Sequence, residues 1–242
     1  MDSGATLPSG GDVSISNGTL NLGASNSTVG YFSVSNGTVT GTGILAGDAF
    51  ADVSSGTSVI SVNVGAFNRF SKLGSGTLTL SGNNSYANYY YIGSGTLALG
   101  SAYALGKQWQ AGVAYTTADT QVFYGGKIYV VTADGLSTNA PTNTSGSSSA
   151  ADTGAVFTWL SSGATISLSG STLKAYDATD YSNRFTSNTC TCTIDTNGQD
   201  ITWASSFNSF GLVKVGLGTL TLAGANNVTS FGSPSLQLNG GT

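Results

Sequence analysis

Residues 74–82 read GSGTLTLSG, and almost the same nine residues return as GLGTLTLAG at 216–224. Self-similarity of this kind limits the accessible folds more than any single motif does. Each copy is preceded by a lysine and an apolar residue, Lys72-Leu73 and Lys214-Val215. Each is followed by an Asn-rich turn and a second short stretch ending in Leu-x-Leu, NSYANYYYIGSGTLALG at 84–100 and NVTSFGSPSLQLNGG at 227–241. Weaker echoes occur as SISNGTLNLG at 14–23, SVSNGTVTGTG at 33–43 and SLSGSTLKA at 167–175. Thr-Leu-Thr-Leu alternates with period two, which puts Leu78 and Leu80 on one strand face and Thr77 and Thr79 on the other. The flanking Gly and Asn residues suit tight turns. A strand this short cannot bury its leucine face alone. Coils stacked at a period of about 20 residues can, by joining their leucines into one internal column with Ser and Thr outside. The competing reading is a β-sandwich with Gly-Thr-Leu turns.

Composition supports the strand reading. The chain has 242 residues, of which only 7% are charged, and all 11 acidic residues are Asp; Glu and His are absent. Helices draw their polar face mainly from Glu, Lys and Arg, so helix has little to build with here. Disorder is excluded by the 39% apolar residues and by their regular alternation. A scattered net charge of −4 gives no basic footprint for nucleic acid, and no apolar run is long enough to insert in a membrane as a helix. The N-terminus, Met1-Asp2-Ser3-Gly4, lacks the pattern of a secretory signal, so the expectation is either a removed signal or exit by another route such as lysis.

KLGSGTLTLSGNNSY at 72–86, followed by GSGTLALG, resembles the passenger-associated repeat of bacterial autotransporter adhesins. Residues 193–224 resemble the coil that commonly precedes that repeat. The resemblance implies an all-β fold, a right-handed parallel β-helix projecting from a cell surface.

Residues 107–162 break the pattern. They run W-x5-Y-T-x5-V-x-Y-x-G-x-x-Y from Trp109 through Tyr115, Val122 and Tyr124 to Tyr129. YGGKIYVV at 124–131 predicts a hairpin turning at Gly125-Gly126, and GAVFTWLSSG at 154–163 predicts one more strand. The expected organisation is therefore β-helix coils at 1–106 and 163–242 around a small antiparallel module at 107–162. This stretch resembles the aromatic module of chitin-binding carbohydrate domains and, through APTNTSG and GAVFTWL, a module of bacteriophage tail and fibre proteins. The resemblance implies that Trp109, Tyr115, Tyr124 and Tyr129 could contact glycan, with Asp119 and Gln121 as polar neighbours. Flat aromatic faces flanked by polar groups are what sugar rings require. Equally, the four rings can be the core of a unit too small to spare them. Tyr89-Tyr90-Tyr91 invites the same two readings.

Catalysis has little support. Asp177, Asp180 and Arg184 form the one cluster with charges suited to glycoside chemistry, and a spacing of three puts the carboxylates on opposite faces if the segment is a strand. Cys190 and Cys192 share a strand face, which suits two buried thiols better than a disulfide. Without His or further Cys they cannot complete a zinc site, and no metal or other cofactor is expected. The expectation is a non-enzymatic extracellular structural or adhesive protein: a phage fibre, spike or decoration protein, alternatively an autotransporter passenger fragment, alternatively a depolymerising tailspike. Expected partners are further copies of itself, other virion or surface proteins, and host surface glycan.

Overall fold

The computed structural model describes residues 7–53, 55–65, 67–85, 87–119, 121–148, 154–163, 165–186, 188–225, 227–228 and 236–241. Its strands come in pairs, one pair to a coil. The first five coils are β1 (Asp12–Ser16) with β2 (Thr19–Asn21), β3 (Ser27–Ser35) with β4 (Thr38–Thr40), and β5 (Ile44–Asp52) with β6 (Thr57–Ile60). After the short β7 (Asn63–Gly65) come β8 (Phe67–Leu73) with β9 (Thr77–Leu80), then β10 (Ala87–Ile92) with β11 (Thr96–Leu99). Each strand pairs in parallel with its counterpart one coil on, so β1-β3-β5-β8-β10 form one sheet and β2-β4-β6-β9-β11 another. The protein is an all-β solenoid.

The leucine alternation explains the stack. Leu78 and Leu80 are buried inside while Thr77 and Thr79 lie half-buried on the other face. Leu78 stands over Leu97, Leu97 over Leu173 and Leu173 over Ile194, so one apolar column runs through successive coils. Each buried leucine contributes about 1.5–3 kcal/mol relative to exposure. Asn84, also buried, ties the turns of adjacent coils: its Oδ1 accepts from Val64 N–H at 2.7 Å and its Nδ2 donates to Ala104 O at 2.6 Å.

Between Leu99 and Thr165 the chain leaves the stack. Tyr90 pairs with Ile166, 76 residues later, although its other neighbour Phe70 lies only 20 residues before it. The intervening strands are antiparallel: β12 (Val113–Tyr115), β13 (Val122–Tyr124), β14 (Lys127–Ala133), β15 (Gly135–Ser137) and β16 (Val156–Ser162), paired β12-β15 and β13-β14-β16. The β13–β14 hairpin turns at Gly125 and Gly126, both at positive φ (58° and 68°), as a tight primed turn requires. Phe123, almost wholly buried, docks this unit onto the solenoid, resting so closely over Gly106 that a Cβ there would overlap its ring.

The stack resumes with β17 (Thr165–Leu168) and β18 (Thr172–Lys174). It continues through β19 (Asn188–Asp195), β20 (Ile201–Trp203), β21 (Asn208–Val215), β22 (Leu220–Leu222), β23 (Asn227–Val228) and β24 (Leu236–Asn239). Here the sheets change partners. β18 is followed in its sheet by β19 and β21, the first strands of their coils, while β20 and β22 pair separately. The loop at 176–184 makes the shift, and Phe185, Trp203 and Phe207 fill the widened interior with ring centroids 4.9–5.3 Å apart. Cys192 is buried among these coils, and burial pushes its thiol up to about 11. The Cys190 side chain lies outside the described residues, so the pairing of two stacked thiols does too.

Lys72 and Lys214, the lysines heading the two strong repeats, point inward. Lys72 is in register with Ile92, and Lys214 with Ile194 and Leu238, so each cation occupies a place in an apolar column. Both are buried. Each ammonium has three donors, and each finds three backbone carbonyls. Lys72 Nζ reaches Leu73, Gly74 and Ser94 at 2.7, 2.8 and 3.1 Å. Lys214 Nζ reaches Gly216, Gly218 and Gly240 at 2.6, 2.7 and 2.7 Å. The third carbonyl comes from the next coil in each case, so the lysine fastens two coils at their shared corner. The residue after it is glycine both times, Gly95 and Gly241, at φ 64° and 63°. A Cβ at Gly95 would lie 2.9 Å from Lys72 Nζ, and one at Gly241 would overlap Lys214 Nζ. The Lys…Gly-x-Gly-Thr spacing of the repeat is thus the covalent form of a carbonyl nest closed around an ammonium.

Candidate functional site

The four aromatic residues singled out in 107–162 occupy two kinds of position. Tyr115 and Tyr129 are fully buried, and both stack edge-on against Phe157 at 5.3 and 6.4 Å. The Tyr115 hydroxyl accepts from Gln110 N–H at 2.6 Å, and the Tyr129 hydroxyl donates to the Pro141 and Asn143 carbonyls at 3.0 and 3.1 Å. Burial pushes both phenols up to about 12. Neither ring presents a face to solvent. Trp109 and Tyr124 are half-buried and meet edge to face at 5.3 Å. The Trp109 indole N–H is committed to Ser137 Oγ at 2.8 Å. Tyr124 shares a sheet face with Val122 and Tyr129, so position in the cluster and not strand face separates the rings: Tyr115 and Tyr129 lie within the small core, while Tyr124 and Trp109, which precedes β12, close its edge.

Asp119, expected beside these rings, instead pairs with Lys107 at 2.5 Å and accepts from Thr116 N–H at 2.7 Å. Burial raises its carboxyl, but the hydrogen bonds from Lys107 and Thr116 outweigh that and hold it below the usual carboxylate range. Lys107 in turn sits over the Tyr115 ring at 4.9 Å and the Tyr103 ring at 5.9 Å.

Asp177 and Asp180 lie in a loop, so the argument from strand faces does not apply to them. Each is occupied locally: Asp177 accepts from Thr179 N–H at 3.0 Å, and Asp180 accepts from Ser182 N–H at 2.8 Å and Ala204 N–H at 2.9 Å. Arg184 is buried. It donates to Leu105 O at 2.6 Å and lies 4.9 Å from the Phe123 ring and 5.5 Å from the Tyr90 ring. It binds the point where the chain leaves the stack to the point where it returns.

Three cavities follow one another along the seam between the antiparallel strands and the solenoid. The largest, about 510 Å³, is bordered by Ile44, Leu160 and Ser161 and ends at Ser85 and Gln121. Those two residues also border a second, about 90 Å³, which ends at Tyr103 and Lys107. Tyr103 and Lys107 then border a third, about 210 Å³, reaching Gln108, Asp177 and Thr179. Sequence reasoning found Asp119 and Gln121 but missed Tyr103 and Lys107, which stand in no recognisable motif.

Fold and lysine nests together define a β-solenoid repeat protein. Residues 70–99 and 212–242 match the profile of the passenger-associated-transport-repeat, which points to an autotransporter-type passenger. Both matched stretches contain a complete lysine nest. No curated protein and no solved structure matches the chain.

Proposed function

We propose that the protein is a non-enzymatic, surface-exposed solenoid of the autotransporter-passenger type, with a structural and adhesive role. The observation that carries this reading is the coincidence of the two profile matches with the two lysine nests: what resembles the passenger repeat is the device that locks successive coils. The absence of catalytic work is supported by the acids of the loop and seam, since Asp119, Asp177 and Asp180 are each engaged by backbone N–H groups. The phage fibre, spike or decoration reading rests on the N-terminus without a secretory pattern and on residues 107–162; the profile matches at 70–99 and 212–242 favour the passenger reading instead.

The test is exposure on the cell that makes it. Antibodies raised against the purified chain should label intact cells, and brief protease treatment of those cells should remove the label without lysing them. Labelling that appears only after the cells are broken would overturn the proposal.

A further inference from the structure

We propose that the seam between the antiparallel strands and the solenoid is a binding groove for a neutral oligosaccharide. This deepens the adhesive reading and rests on it. The first ground is continuity: the three cavities share Ser85 and Gln121 at one junction and Tyr103 and Lys107 at the next, so they form one track.

The second ground is hydrogen-bonding capacity left open along that track. Gln108 is 6% exposed, and its Nε2 donates to Gly106 O at 3.2 Å, which fixes the amide's orientation. Its Oε1 then has no donor. Gln121 Oε1 and Ser161 Oγ, bordering the other two cavities, are likewise buried without a partner. A buried acceptor left unsatisfied is costly, and such groups commonly mark a missing ligand or water. Two amide oxygens in different cavities ask for a ligand that brings donors at intervals along its length. The hydroxyls of a sugar chain do so.

The third ground is the Tyr103 ring, 38% exposed and shared by two of the cavities. It offers the apolar face that a sugar's C–H surface stacks on. Charge selects the neutral class. The Lys107 ammonium is already paired with Asp119, and Asp177 borders the end cavity, so the groove carries no spare positive charge for a uronate or sialate. At about 210 Å³ the end cavity lies below the size of drug-binding pockets and suits a single sugar unit.

The experiment is retention of the labelled full chain on an array of immobilised neutral hexose and N-acetylhexosamine oligosaccharides, with sialylated and uronate-containing chains alongside. Neutral chains should be retained. Tyr103→Ala should weaken the best of them at least tenfold with an unchanged thermal midpoint, and Tyr103→Trp should keep binding. Tyr31→Ala removes an equally exposed ring elsewhere, on β3, and should change nothing. Retention of acidic chains only, retention indifferent to Tyr103→Ala, or capture of extended peptides in place of sugars would each overturn the proposal. If no sugar is retained while intact cells still carry the protein on their surface, the groove assignment fails and the surface reading stands.

Discussion

Lys72→Met lowers the stability of the coils around β8 and β10 by about 2–4 kcal/mol. Methionine keeps the length and most of the apolar stem but removes three donors from three partly buried carbonyls, those of Leu73, Gly74 and Ser94. Leaving such a group unsatisfied costs about 1–3 kcal/mol when it is fully buried, and partial burial puts these three at the lower end. The sum is reduced because the variant no longer buries a cation, which is itself expensive. The loss should be local, since coils in a solenoid contact only their neighbours. Gly95→Ala should act in the same direction by a different route. Its φ of 64° disfavours a side chain, and the new methyl would press on the Lys72 ammonium. Urea unfolding followed by circular dichroism reads both effects. An unchanged midpoint for Lys72→Met would mean that the nest is incidental to the fold.

Alkali should unfold the protein between about pH 9 and pH 12. Burial raises the phenols of Tyr90, Tyr115 and Tyr129 from 10.0 to about 12, and the Cys192 thiol from 9.0 to about 11. These groups are neutral in the folded chain. The unfolded chain releases their protons at lower pH, so stability is complete below pH 9 and falls as pH rises toward the folded values. Each group contributes roughly 1.4 kcal/mol of loss per pH unit in that window. By pH 11 the three tyrosines lose about 1.4 kcal/mol each and Cys192 about 2 kcal/mol, together roughly 6 kcal/mol, comparable with the whole stability of an ordinary domain. The thermal midpoint should therefore hold level to pH 9 and then drop steeply, with phenolate absorbance from the buried rings arriving together with unfolding. Reversible titration of all the tyrosines near pH 10 in a chain that stays folded would contradict this.

The coils were legible because their signal is local. Leu78 and Leu80 alternate with Thr77 and Thr79, and the same four residues recur. The lysines were visible as repeated positions but not as anchors. A buried cation runs against expectation, and its third carbonyl comes from Ser94 or Gly240, 22 and 26 residues further on, where spacing carries no message. Among the aromatics, the pattern did not separate the buried Tyr115 and Tyr129, which stack on Phe157, from the half-buried Trp109 and Tyr124, because that depends on where each ring sits in the folded cluster. Asp177 and Asp180 read as an Asp-rich turn leaving the solenoid, and the chain does turn a corner there to change sheets. Of the seam groove, Asp119 and Gln121 stood in a recognisable stretch of sequence, and Tyr103 and Lys107 did not. Tyr103, Gln108 and Asp177 meet only because the chain leaves the stack after β11 and returns at β17.

Coil register tests the account most directly. Thr77 and Thr96 are paired neighbours on β9 and β11, half-buried and outside the leucine column. A Thr77→Cys/Thr96→Cys variant should close a disulfide under mild oxidation, identified by peptide mass. A Thr77→Cys/Leu97→Cys variant should not, since Leu97 faces the interior. Equal crosslinking of the two pairs, or none in the first, would contradict stacked parallel coils fastened one to the next.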